Sequence, residues 1–221
     1  MELLVDQAEA LQRYNSLLVE KNKVMNLTAH KTEDESWLHN VQDSLLFAEI
    51  FRELGAVKVL DIGSGGGCPA VPLGIVAPEL KITMLDSTRK KVDFLNSVVQ
   101  ELGCGNMEAV HARAEEFAVS GREQFDCVTA RAVAVLPTLL EYALPFLKVG
   151  GLFFAFKGKS WQQEVESAKG AFKLLGGEIA TVHTKNLTDD IERALVVVRK
   201  VRVTDKKYPR MGNAPRIKPL L

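Results

Sequence analysis

The apolar positions of the chain change their period once. In the first fifty residues Leu3, Leu4, Leu11, Leu17 and Leu18 recur near the helical spacing, and a turn is expected around residues 22–26. A second helix is predicted to open near Thr32-Glu33-Asp34-Glu35, where a hydroxyl and three carboxylates suit a helix N-terminus. Its apolar stripe takes in Trp37, Val41, Leu45, Leu46, Ile50 and Phe51. From residue 57 the pattern becomes one of short β-rich runs, at 57–62, 81–85, 107–111, 125–129, 152–157, 178–182 and 194–201. Helical stretches lie between them at 70–76, 89–102, 136–147 and 162–175.

Such alternation predicts a mostly parallel sheet with helices on both faces, and ligands bound beyond the carboxyl ends of the strands. The polar connection 185–193 is too short for a crossover helix, so the last two strands should run antiparallel. A parallel sheet ending in an antiparallel hairpin is the shape expected of an α/β, Rossmann-like class I methyltransferase fold with seven strands. We divide the chain into an N-terminal helical cap (1–56), a methyltransferase-like α/β core (57–203) and a basic C-terminal arm (204–221).

Composition adds bounds. The 221 residues are 47% hydrophobic and 25% charged, which suffices for a full core without disulfide or metal staples. Three scattered cysteines, Cys68, Cys104 and Cys127, do not form a framework. With an N-terminus unlike a secretory signal, they suggest a reducing, cytoplasmic setting. No apolar run approaches the roughly 20 residues that span a bilayer, so no membrane partner is expected. The formal net charge of zero conceals a gradient: residues 1–56 carry ten acidic against five basic side chains, whereas residues 199–221 carry eight basic against one acidic. A cationic end invites polyanions.

The strongest local signal is Val59-Leu60-Asp61-Ile62-Gly63-Ser64-Gly65-Gly66-Gly67, a strand running into five small residues and then a helix opening at Pro69. Asp86 ends the next strand, where a carboxylate can accept from two ribose hydroxyls. Two cofactors compete for the loop. Gly65-Gly66-Gly67-Cys68-Pro69-Ala70 satisfies the dinucleotide pattern, which keeps an NAD-dependent oxidoreductase open. The spacing Asp61-x-Gly63-x-Gly65-x-Gly67 suits S-adenosyl-L-methionine better, because a strand-end carboxylate attracts an ammonium and repels a pyrophosphate. A P-loop ending at Gly158-Lys159-Ser160 fails, since its first glycine position is Phe153.

The segment Thr129-Ala130-Arg131-Ala132-Val133-Ala134 lacks the polar–Pro–Pro–aromatic clamp used on exocyclic amines. Neither Cys127 nor Cys68 is well placed as a carbon-5 nucleophile. A ring nitrogen with a free lone pair, such as guanine N7, needs neither device. The histidines His30, His39, His111 and His183 show no metal spacing, and no metal is expected.

Several separated segments resemble one family, the bacterial GidB (RsmG) methyltransferases of small-subunit ribosomal RNA. They are Tyr14-Asn15, Asn26-Leu27-Thr28-Ala29, His39 with Asp43-Ser44-Leu45, the loop 61–69, Ala130-Arg131-Ala132, Lys157-Gly158, Tyr208-Pro209-Arg210, Pro215 and Lys218-Pro219-Leu220. Cys68 stands where that family carries a bulky apolar residue. The resemblance implies transfer of a methyl group to guanine N7 in the 530 loop of 16S rRNA, with the small ribosomal subunit or its precursor as partner. It implies a cofactor site of Asp61, Gly63, Ser64, Gly65, Cys68, Asp86, Ser87, Ala114, Glu115 and Arg131, with Arg131 as the catalytic candidate.

Lys157, Lys159, Arg210, Arg216 and Lys218 are expected to meet RNA phosphates, the last three from an extended tail. Arg131 leaves a buried strand and needs a partner for its charge, either a helix carboxylate or the ligands. Tyr14 and Trp37 are read as core. His39 and Asp43 either couple cap to sheet or border the base pocket. The chain is expected to act as a monomer, and a non-catalytic RNA-binding assembly protein stays open as a rival.

Overall fold

The computed structural model describes residues 3–55 and 57–221; Met1, Glu2 and Ala56, at the ends of the expected cap, lie outside the described residues. Seven strands form one sheet in the order β3-β2-β1-β4-β5-β7-β6. They are β1 (Lys58–Ile62), β2 (Lys81–Asp86), β3 (Met107–His111), β4 (Phe125–Arg131), β5 (Leu147–Lys157), β6 (Gly177–Thr188) and β7 (Ile191–Lys200). The first five pair in parallel, and β7 runs antiparallel to both neighbours. The expected seven-stranded sheet and closing hairpin are both present. β6 and β7 extend toward one another until only Asp189 and Asp190 separate them, so most of the connection is itself strand.

Residues 152–156 of β5 and 194–198 of β7 are apolar without interruption because both faces of the sheet are covered. Along β5, Phe154 and Phe156 enter one core while Phe153 and Ala155 enter the other; along β7, Leu195 and Val197 oppose Val196 and Val198. The first face is covered by α1 (Val5–Asn22), by a helical run in several pieces, and by two crossover helices. The run comprises α2 (Glu33–Ser36), a π-helical stretch (Trp37–Gln42), α3 (Asp43–Leu45) and α4 (Ala48–Arg52); the crossovers are α5 (Ala70–Val76) and α6 (Arg89–Glu101). Tyr14 is fully buried there, and Trp37 packs partly buried against the same core. Phe51 seats the helical cap on β5, its ring centroid 4.7 Å from that of Phe154.

Thr32 caps α2 as expected, its hydroxyl accepting from the Glu35 amide at 3.2 Å. The opposite face holds α7 (Ala114–Gly121), α8 (Leu136–Ala143), α9 (Trp161–Ser167) and α10 (Lys169–Leu175). Helix α7 was not anticipated, and the predicted helix 162–175 divides at Ala168.

The C-terminal residues correct the expectation of an extended tail. Tyr208 is buried, Arg122 donates to the carbonyls of Tyr208, Thr204 and Asp205, and α11 (Ala214–Ile217) follows. The segment is docked on α8 through Arg210, whose guanidinium holds the fully buried Glu141 carboxylate, and through the Thr138 hydroxyl, which donates to the Pro215 carbonyl at 2.9 Å.

Candidate functional site

The site lies where the sequence pattern directs it, beyond the carboxyl ends of β1, β2, β4 and β5. The loop after β1 is tied to the end of β2: the amides of Gly63 and Ser64 both donate to the Leu85 carbonyl, at 2.7 and 3.1 Å. Asp86 accepts from the Gly65 amide at 2.9 Å through Oδ2 and from the Thr88 amide at 2.8 Å through Oδ1. One carboxylate therefore shapes both the glycine loop and the entry to α6. Gly63 has φ of +69°, and a Cβ there would sit 2.8 Å from the Val133 side chain. Helix α1 braces the loop from behind, with the Tyr14 hydroxyl donating to the Gly66 carbonyl at 2.8 Å and lying 3.0 Å from Cys68 Sγ.

Asp61 is the outlier in this frame. It is 1% exposed; its Oδ1 accepts from the Thr129 hydroxyl at 2.6 Å, and its Oδ2 has no hydrogen-bond partner among the described residues. Burial pushes its pKa up to about 6, against the Ser64 and Thr129 hydroxyls and the Arg131 charge, which favour the carboxylate. A buried carboxylate with an unspent oxygen is costly in isolation and marks a place prepared for a donor.

Three cavities meet around this loop. One of about 190 Å³ is lined by Gly63, Ser64, Gly65 and Cys68, with Arg131 opposite. A second, about 90 Å³, lies across Gly63 against Ser87, Ala114, the buried Glu115 and Val133. The third is the large one, about 680 Å³, opening between the cap and the ends of β4, β5 and β7. Arg131 and Ala132 are shared by the first and third, and Val133 by the second and third. Ala132 adopts φ of +57°, a strained conformation for a residue with a side chain, of the kind that concentrates at functional loops. A hollow of about 810 Å³ beside Lys58, Lys81 and Phe125 lies at the opposite end of the strands and touches none of these residues.

Arg131 has the helix carboxylate that its burial demands. It donates to Asp43 Oδ2 at 3.1 Å, to the His39 carbonyl at 2.9 Å and to Asn40 Oδ1 at 3.3 Å. The other Asp43 oxygen accepts from Arg193 at 2.9 Å, so one buried carboxylate clasps β4, β7 and the cap together. The His39 carbonyl that accepts from Arg131 belongs to the π-helical stretch, a local irregularity of the kind often found at functional sites. Asp43 thus couples cap to sheet, one of the two roles considered for the pair, and both His39 and Asp43 line the large cavity. The His39 ring stacks on His30 with centroids 4.3 Å apart, and burial together with His39 holds the His30 pKa below its usual value.

Two of the five lysines and arginines expected to meet phosphate are occupied otherwise. Lys157 is 8% exposed and donates to Glu164 Oε2 at 2.7 Å and to the Ala134 carbonyl at 2.9 Å. Burial lowers its pKa, opposed by Glu164. Arg210 is engaged by Glu141, whose Oε2 its guanidinium meets at 2.7 Å. Lys159, Arg216 and Lys218 are exposed. Arg216 and Asn213 close one side of the smallest cavity, a role that the charge pattern did not suggest. Glu164 and Arg193 were also missed: each is a lone charge in sequence and gains meaning only from the partner the fold brings to it.

Burial raises the thiol pKa of Cys68, and that of Cys127 to about 12, which suits inert packing better than nucleophilic attack. Among the described residues no His, Cys, Asp and Glu side chains group as a metal site, and no helix is long and apolar enough to cross a membrane.

Sheet order, closing hairpin and strand-end glycine loop together define a Rossmann-like fold of the class I methyltransferase type. Solved structures agree at the level of fold: an rRNA methylase from Streptococcus thermophilus has 18% identity and a TM-score of 0.53 over 71% of this chain and 95% of that one. TYW2 of M. jannaschii in complex with AdoMet has 12% identity and a TM-score of 0.55 over 72% and 77%. Residues 7–196 match the family described as rRNA small subunit methyltransferase G. Proteins named ribosomal RNA small subunit methyltransferase G are 44% identical in Acetivibrio thermocellus, over 97% of this chain and 89% of that protein, and 43% identical in Desulfitobacterium hafniense, over 100% and 92%. The chain belongs to the rRNA small subunit methyltransferase G family.

Proposed function

We propose that the protein transfers the methyl group of S-adenosylmethionine to N7 of a guanine in the 530 loop of 16S rRNA, acting on the small subunit or its precursor in the cytoplasm. The observation that carries the reading is the buried Asp61, its Oδ2 without a hydrogen-bond partner among the described residues, in the strand that leads into a glycine-lined cavity sharing Arg131 and Ala132 with a larger one. Bound there, S-adenosylmethionine supplies a methyl carbon on a sulfonium; transfer to N7 leaves S-adenosylhomocysteine and places the positive charge on the base. Asp61 would accept from the ammonium of the amino-acid moiety, and Gly63, Ser64, Gly65 and Cys68 would bound that moiety. Asp86 keeps lone pairs for two ribose hydroxyls beyond its two backbone bonds. Ser87, Ala114 and Glu115 would bound the adenine.

A ring nitrogen with a lone pair has no proton to lose, so no general base is required. Arg131 is assigned the wall between cofactor and base, fixed there by Asp43 and His39. Lys159, Arg216 and Lys218 are the exposed cations offered to phosphate.

The test is transfer of labelled methyl from S-adenosylmethionine to small subunits purified from a strain lacking this gene, with the base mapped. Label at guanine N7 in the 530 loop is expected. Blank subunits, free 16S rRNA and precursors would overturn the proposal.

A further inference from the structure

The reaction needs only N7, which adenine also has; guanine differs from adenine at C6 beside N7 and again along its Watson–Crick edge. That edge presents two donors, N1–H and the N2 amine, where adenine presents an acceptor at ring position 1. A carboxylate accepts from both guanine donors and repels the adenine acceptor. Among the described residues, Asp43 and Glu164 are the carboxylates lining the large cavity. Asp43 has both oxygens committed, to Arg131 and Arg193.

Glu164 differs. Its Oε2 accepts from the Leu136 amide at 2.7 Å and from Lys157 Nζ at 2.7 Å, while Oε1 makes no hydrogen bond among the described residues. The side chain is 20% exposed, and it sits at the first turn of α9. Two bonds to one oxygen restrain the carboxylate, which is the preorganisation that base recognition requires. The transfer site lies across the same cavity, at Arg131 and Ala132. A base entering with its N7 edge toward those residues turns its Watson–Crick edge toward α9.

We propose that Glu164 is the residue that selects guanine, accepting from N1–H and the N2 amine of the target base. The proposal rests on the reading of the large cavity as the seat of that base.

The experiment compares reconstituted small subunits carrying guanosine or inosine at the target position, inosine lacking only the N2 amine. Wild-type enzyme and Glu164→Gln are assayed for single-turnover methyl transfer, and S-adenosylhomocysteine affinity is measured for both. The wild type should transfer to inosine roughly tenfold or more slowly than to guanosine. Glu164→Gln should bind S-adenosylhomocysteine normally and transfer to guanosine at least ~10-fold more slowly. Its amide oxygen, held by Leu136 and Lys157, would turn the NH₂ group against the guanine donors, so the inosine penalty should vanish or reverse.

The proposal is overturned if the wild type is indifferent to inosine, a comparison that needs no variant to fold. It is equally overturned if the variant keeps the wild-type guanosine-to-inosine ratio. Failure of the wild type to methylate guanosine at all would instead sink the underlying reading of the function.

Discussion

Asp61→Asn should stabilise the ligand-free protein while weakening its hold on the cofactor. The native carboxylate is fully enclosed and one oxygen is unsatisfied, so its ionised form is disfavoured on folding. Its folded pKa, raised from 3.8 to about 6, corresponds to ~3 kcal/mol of stability forgone at neutral pH. The sign follows from which state holds the proton. Between the two pKa values the unfolded chain has already released it and the folded chain has not. Stability therefore falls as pH rises through that interval and is level above it.

Asparagine removes the charge and can keep the Thr129 hydrogen bond, but leaves an NH₂ without an acceptor, at a cost of about 1–2 kcal/mol. The net expectation is a gain of about 1–2 kcal/mol near pH 7.5, shrinking by about 2 kcal/mol near pH 4.5. Urea unfolding of both proteins at these pH values, with and without S-adenosylhomocysteine, measures all of it. Ligand should stabilise the variant by at least ~1.4 kcal/mol less than the wild type, the equivalent of tenfold weaker binding. A variant less stable than the wild type without ligand, or equally stabilised by it, would refute the reasoning.

Asp43→Ala should lose about 3 kcal/mol, because it leaves two arginine charges facing each other between cap and sheet, with a melting temperature lower by roughly 6–12 °C in calorimetry. Paired with Arg193→Met in a double-mutant cycle, the coupling should be at least ~1 kcal/mol. Gly67→Ala, with φ of +105° and a new Cβ 2.8 Å from Val71 and 3.1 Å from the Tyr14 hydroxyl, should lose at least ~2 kcal/mol in denaturant titration. Arg210→Ala should strand the buried Glu141, lowering stability by about 3 kcal/mol and weakening S-adenosylhomocysteine binding in calorimetry. Arg216→Ala should weaken that binding with stability changed by less than about 0.5 kcal/mol.

What could be read from the sequence was what is local. The glycine loop is contiguous, its acid and glycines are spaced by the backbone itself, and Asp86 follows at the end of the next strand. Strands buried on both faces announce themselves as unbroken apolar runs, and the shortness of the 185–193 connection forced the antiparallel hairpin. Helix α7 escaped because its buried positions are Glu115, Ala118 and Gly121, none of them a large apolar side chain, while Val119 is exposed. The division of α9 from α10 at Ala168 and the π-helical turn at 37–42 have no propensity signature, since tertiary contacts set them.

Charge was the harder quantity, and the reason is physical. A lysine or arginine in sequence reads as solvated because most are, and its cost of burial depends on a partner that only the fold supplies. Lys157 has its carboxylate seven residues on, across a strand-to-helix turn; Arg210 has its own sixty-nine residues back, on α8. Both looked like hands for phosphate, and both are internal fixtures. The consequence for the site is a division of labour. Cations that are paired, Arg131, Arg193, Lys157 and Arg210, hold the cavity walls and the carboxylates in place. Those left exposed, Lys159, Arg216 and Lys218, are the ones proposed to meet a polyanion. Neutralising an exposed cation should therefore change affinity for RNA and its salt dependence, whereas neutralising a paired one should change the shape of the cavity and with it the choice of base.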